Sequence, residues 1–104
     1  MKYHQLHFSI FYILLVHEHN GSTYDRFELF INGVTRDRLR THLKDLLAMG
    51  LVERSEGSIE YREGRSNAIF DIPIEIREQF PNPKGSVEDI ENFIKMKIES
   101  VGKD

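Results

Sequence analysis

The sequence predicts an α+β fold, mostly α: a three-helix core, a two-stranded β-hairpin and a C-terminal helix. Three observations carry this. Residues 35–49 hold leucines at helical spacing between a marked start and a marked stop. Two short apolar stretches, 51–54 and 68–72, flank a polar, glycine-containing loop. A further apolar stripe, Val87, Ile90, Ile94, Ile98 and Val101, follows a Pro-Asn-Pro break.

Leu6 to Val16 is apolar almost all round. Its aromatic and β-branched content allows a strand, but the run continues in helical fashion to His19 and stops at Asn20-Gly21, which favours a helix. A helix apolar on two sides must bury both. The second cover is then the C-terminal segment, a second subunit, or both. Ser22-Thr23 caps a short helix, Tyr24 to Phe30, and Asn32-Gly33 is a turn.

Thr35 caps the next helix, with Asp37 in its first turn, where negative charge suits the helix dipole. Leu39, Leu43, Leu46 and Leu47 form its inner stripe, and Gly50 ends it as a left-handed residue. At about 100° per residue, Asp37, Arg40, Thr41, Lys44, Asp45 and Ala48 point away from that stripe, with Arg36 and Arg38 at its N-terminal edges. Such a face suits a DNA major groove, since arginine forks onto guanine edges or phosphates. It equally suits plain solvation. Helix, short helix, turn and longer helix form the helix-turn-helix layout.

Leu51 to Arg54 and Ala68 to Ile72 read as paired strands, with Ile59 and Tyr61 alternating between them. A hairpin after a recognition helix is a wing. Arg62, Arg65, Ser66 and Asn67 near its tip are placed for phosphates or a minor groove, or are a solvated tip. Ile74 to Phe80 reads as a short helical turn that packs Ile76 and Phe80. Pro81 to Gly85 is the best boundary, dividing a domain over 1–80 from a linker and amphipathic helix over 81–104. Ser86 to Asp89 resembles a capping box that opens the last helix. Paired with the doubly apolar first helix, that helix favours a homodimer; the alternative is packing within the chain.

Composition narrows the classes. With 104 residues, 39 % hydrophobic and 30 % charged, this is one globular domain rather than a disordered chain. There is no cysteine, so no disulfide and no cysteine-held zinc. No signal-peptide pattern is seen and the Phe8–Val16 run is too short to span a bilayer, so a cytoplasmic location away from membranes is expected. Net charge is −3, yet residues 36–65 hold seven basic and six acidic side chains, a net of +1. Any DNA-binding surface is therefore local.

The text TRDRLRTHLKDLLAMGLVERSEG, followed by GRSNAIFDI, resembles winged helix-turn-helix proteins: MarR-like and ArsR-like regulators and small archaeal and viral winged-helix proteins. The resemblance covers about Leu6 to Pro73. It implies sequence-specific binding of double-stranded DNA as a small dimeric transcriptional regulator. By position, base readers are Arg36, Arg38, Arg40, Thr41 and Lys44; wing contacts are Arg54, Arg62, Arg65 and Asn67. The GRSN segment is also similar to winged-helix modules of plasmid and phage replication proteins, and winged helices also serve protein–protein contact. ArsR-type metal sensing commonly uses cysteine pairs, and here there are none.

No catalytic constellation stands out: there is no phosphate loop, nucleophile elbow or carboxylate pair in an apolar setting. No cofactor or metal is expected. His4, His7, His17 and His19 match no recognised metal spacing and read as surface or partly buried residues, and His42 reads as a packing residue.

Overall fold

The computed structural model describes residues 1–56 and 68–101. Among them are five helices and one two-stranded antiparallel sheet, a mostly helical α+β fold. The helices are α1 (Gln5–Val16), α2 (Tyr24–Phe30), α3 (Arg36–Ala48), α4 (Ile74–Arg77) and α5 (Val87–Val101). The strands are β1 (Glu53–Glu56) and β2 (Ala68–Asp71), and Pro83–Gly85 forms a 3-10 turn before α5.

The core is built around α1, which packs on α2, α3, α5 and the 3-10 turn. Leu6, Ile10, Phe11, Ile13, Leu14 and Leu15 are all buried, so both apolar sides are covered. The C-terminal helix supplies one cover within the same chain: Ile90, Ile94 and Ile98 are buried, while Val87 and Val101 at the stripe's ends stay exposed. Phe11, Phe80 and Phe93 lock this seam. Phe80 meets Phe93 edge-on at 5.3 Å, and Phe11 lies 6.3 and 6.2 Å from the two. Such pairs add about 0.5–1.5 kcal/mol beyond the area they bury.

Local signals set most boundaries. Thr23 and Thr35 accept the amides of Arg26 and Arg38 through their hydroxyls. Gly50 takes φ 74°, and the Leu51 amide reaches back to the Leu46 carbonyl, which closes α3.

The strands end at Glu56 and Asp71 rather than Arg54 and Ile72, and three larger differences from the sequence reading have a place in the packing. First, α1 stops at Val16 rather than His19. The chain must turn there to seat Ser22 against the sheet, where Ser22 and Phe70 exchange both backbone bonds at 2.8 Å. The C-cap of α1 is His17 and not Gly21, which immediately precedes this bridge and donates its amide to the Glu18 carbonyl at 3.1 Å. Its φ is 94°, and a side-chain carbon there would meet Ile69 at 2.7 Å. Second, β1 starts at Glu53. Leu51 and Val52 are spent on the core as a buried connector before it. Third, α4 is a four-residue helix, although Ile76 and Phe80 do pack on the core as expected. The β1–β2 register pairs Arg54 with Phe70. No helix among the described residues is long and apolar enough to cross a membrane.

Candidate nucleic-acid interface

Helix α3 is held by its inner face. Leu39, Leu43 and Leu46 are at most 1 % exposed, and full burial of a leucine is worth about 1.5–3 kcal/mol. That anchoring fixes the rotation of the helix. Arg36, Arg38, Arg40, Thr41 and Lys44 consequently all stand exposed.

Their electrostatic settings differ. Arg36 reaches back to α2, where Asp25 and Glu28, one turn apart, both bind its guanidinium; the Glu28 contact is 3.0 Å. Those bonds, Glu28 first and then Asp25, raise the Arg36 pKa further above its ordinary value. The same guanidinium lies 5.2 Å from the centre of the Tyr24 ring. Arg40 pairs with Asp37 on its own helix at 3.1 Å and lies 5.9 Å from the same ring. The Thr41 hydroxyl donates to the Asp37 carbonyl at 3.0 Å. Arg38 and Lys44 have no ion pair among the described residues.

Strand β1 brings Arg54 beside this face. Arg40, Lys44 and Arg54 line one groove of about 360 Å³, with Tyr24, Leu43, Leu47 and Phe70 as its apolar lining. Sheet pairing explains the position: Phe70 faces the core opposite Arg54, and Tyr24 meets Phe70 edge-on at 5.2 Å. Tyr24, Arg54 and Phe70, far apart in sequence, thus share one concave surface with Arg40 and Lys44. Arg62, Arg65 and Asn67 lie outside the described residues.

Sequence reasoning missed two arrangements. One is the α2 carboxylate pair that holds Arg36. Asp25 and Glu28 sit at i and i+3, a legible pattern, but the packing of α2 against α3 decides what they meet. The other is the environment of Asp45. The sequence placed it outward, yet its carboxylate accepts a 2.8 Å bond from Nε2–H of His7, a residue only 1 % exposed. Among the described residues no group of three or more His, Asp or Glu side chains is arranged to hold a metal ion.

No protein-family model, curated protein or solved structure matches the chain.

Proposed function

We propose that this chain is a winged helix-turn-helix protein that binds double-stranded DNA, and that it acts as a small dimeric transcriptional regulator. The observation that carries the reading is the shared groove of Arg40, Lys44 and Arg54, over a helix anchored by its leucines, with Arg38 also exposed on another side of the same helix. In this reading α2 and α3 are the two helices of the motif, and β1 and β2 are the stem of the wing. Helix α3 enters the major groove, and Arg38, Arg40 and Lys44 reach base edges or phosphates. Arg54 reaches the backbone from the strand. Thr41, small and in the middle of the face, lets the helix approach closely. The wing residues Arg62, Arg65 and Asn67 extend the contact along the duplex.

The ion pairs of Arg36 and Arg40 do not oppose this. Exposed pairs are worth about 0–1 kcal/mol, so a phosphate can replace the carboxylate. Because α1 and α5 cover one another, a second copy has to be met by side chains left outside that seam, such as Met96, which is 69 % exposed.

A second reading, a winged helix used for protein contact, draws support from the two carboxylates on Arg36 and from the net charge of −3. One experiment separates them. A random duplex library is selected against the full chain at low salt, and the solution mass is measured in parallel. Enrichment of a two-fold symmetric site by a particle of twice the 12.2 kDa chain mass is expected. No retention of any duplex at low salt would leave the protein-contact reading.

A further inference from the structure

The start of α1 is capped in an unusual way. Helix N-caps are normally Ser, Thr, Asp or Asn, whose oxygens accept at any ordinary pH. Here both side chains of the capping box are histidines. Nδ1 of His4 accepts the Leu6 amide at 3.0 Å, and Nδ1 of His7 accepts the His4 amide at 3.0 Å. Both bonds need a bare ring nitrogen, and a protonated imidazole has two N–H donors and no acceptor.

The surroundings couple this box to α3. The His4 ring lies 5.0 Å from that of His42, and the His42 ring lies 4.6 Å from that of His7. His42 donates through Nδ1 to the Arg38 carbonyl at 2.7 Å. His7 donates through Nε2 to Asp45 at 2.8 Å. Tyr3 lies beside His7, with ring centres 6.3 Å apart, and its hydroxyl donates to Glu91 of α5. Lys95 Nζ of α5 lies 5.1 Å from the centre of the Tyr3 ring. The groups facing the box are thus Arg38, His42 and Asp45 from α3, and Glu91 and Lys95 from α5 by way of Tyr3.

We propose that the His4–His7 box is a pH-sensitive latch: it holds the first turn of α1 on α3 at neutral pH and releases it on acidification. His4 is the exposed member, so its ring nitrogen is open to a proton from solvent. That proton removes the acceptor for the Leu6 amide. It also places positive charge at a helix N-terminus, where the dipole disfavours it, and beside Arg38. Asp45 is the opposing group, since it attracts a charged His7. It cannot rescue the His4 cap, because its oxygen is bound to the far nitrogen of a different ring.

The pKa of His4 is consistent with this. It is lowered, by desolvation first and then by the nearby His42, Arg38 and His7. A base with a lowered folded-state pKa contributes stability at pH values above its unfolded value, about 6.5. That stability is lost as pH falls from there through the folded value. The consequence for DNA, weaker binding in acid because α3 loses its seat, rests on the proposed function. The latch itself does not.

The test is amide exchange on the full chain at about pH 8 and about pH 5, expressed as protection relative to the intrinsic rate at each pH. In the unaltered protein, protection of the first-turn amides of α1 is expected to drop about fivefold, the effect of one lost cap. His4→Asn keeps an acceptor that does not titrate, so its protection stays level. His4→Lys lacks an acceptor and carries the charge, so it is poorly protected at both pH values. Side-chain nitrogen spectra at pH 8 are expected to show bare Nδ1 atoms on His4 and His7. Constant protection in the unaltered protein, an equal drop in His4→Asn, or a protonated Nδ1 on both rings at pH 8 would overturn the latch. A pH-dependent loss of protection in a chain that retains no duplex at either pH supports the latch and counts against the DNA reading instead.

Discussion

Neutralising the two carboxylates that hold Arg36 should tighten DNA binding. The perturbation is Asp25→Asn with Glu28→Gln, which leaves every side-chain volume nearly unchanged. The Arg36 side chain is 44 % exposed, and Asp25 and Glu28 are 80 % and 34 % exposed. Pairs of this kind contribute about 0–1 kcal/mol to folding, so the variant stays folded. On DNA two effects add. Each carboxylate about one Debye length from a phosphate repels it by about 0.5 kcal/mol in water, and by about 0.2 kcal/mol after screening. Arg36, released from α2, then reaches a phosphate and adds about one ion to the counterion release. The sum is about 1–1.5 kcal/mol, or roughly fivefold to tenfold tighter binding at about 0.1 M salt. The assay is fluorescence anisotropy of a labelled duplex across a salt series, with a thermal melt of the free variant as control. The expected result is a lower Kd and a salt slope steeper by about 0.9. Unchanged affinity and slope in a variant that melts normally would refute the placement of Arg36 against the duplex.

Three other outcomes follow from the same geometry. Arg40→Ala should lower discrimination at one base position by about 1–3 kcal/mol, read by comparing selected and random duplexes; an equal loss on both would make Arg40 a phosphate contact. Thr35→Ala removes the α3 cap and should cost about 1 kcal/mol, a fall in Tm of about 4–8 °C for a domain of this size. The Tyr3 hydroxyl has its pKa pushed up to about 12 by burial and by Glu91. A raised pKa contributes stability that is complete below the unfolded value near 10 and is lost as pH rises through about 12. Urea melts should therefore weaken over that window in the unaltered chain and less so in Tyr3→Phe.

The parts of this fold that are legible in sequence are those set by neighbours in the chain. Thr35, four leucines and Gly50 bound α3 almost to the residue, because cap, stripe and stop each act within one or two turns. The Tyr24–Phe30 helix is legible for the same reason. The end of α1 is not, because Ser22 must reach Phe70, a partner 48 residues away. The exposed cations of α3 are also legible, since buried leucines dictate what is left outside. What those cations touch is not. Arg36 meets Asp25 and Glu28 only because of how α2 packs on α3, and Arg54 joins Arg40 and Lys44 only once the strands pair. In sequence, His4 and His7 read as surface or partly buried residues and His42 as a packing residue, because an imidazole is a rare cap. Their role emerges from ring nitrogens placed 3.0 Å from backbone amides.

The most direct test is a chemical-shift map. An isotope-labelled chain is titrated at low salt with a duplex recovered from the library selection, and the perturbed amides and arginine side chains are placed on the molecule. Perturbations are expected on Arg36 to Lys44 and around Arg54, with α5 left unchanged. Shifts confined to α5 and the outer side of α1, with α3 silent, would contradict the claim that α3 carries the duplex.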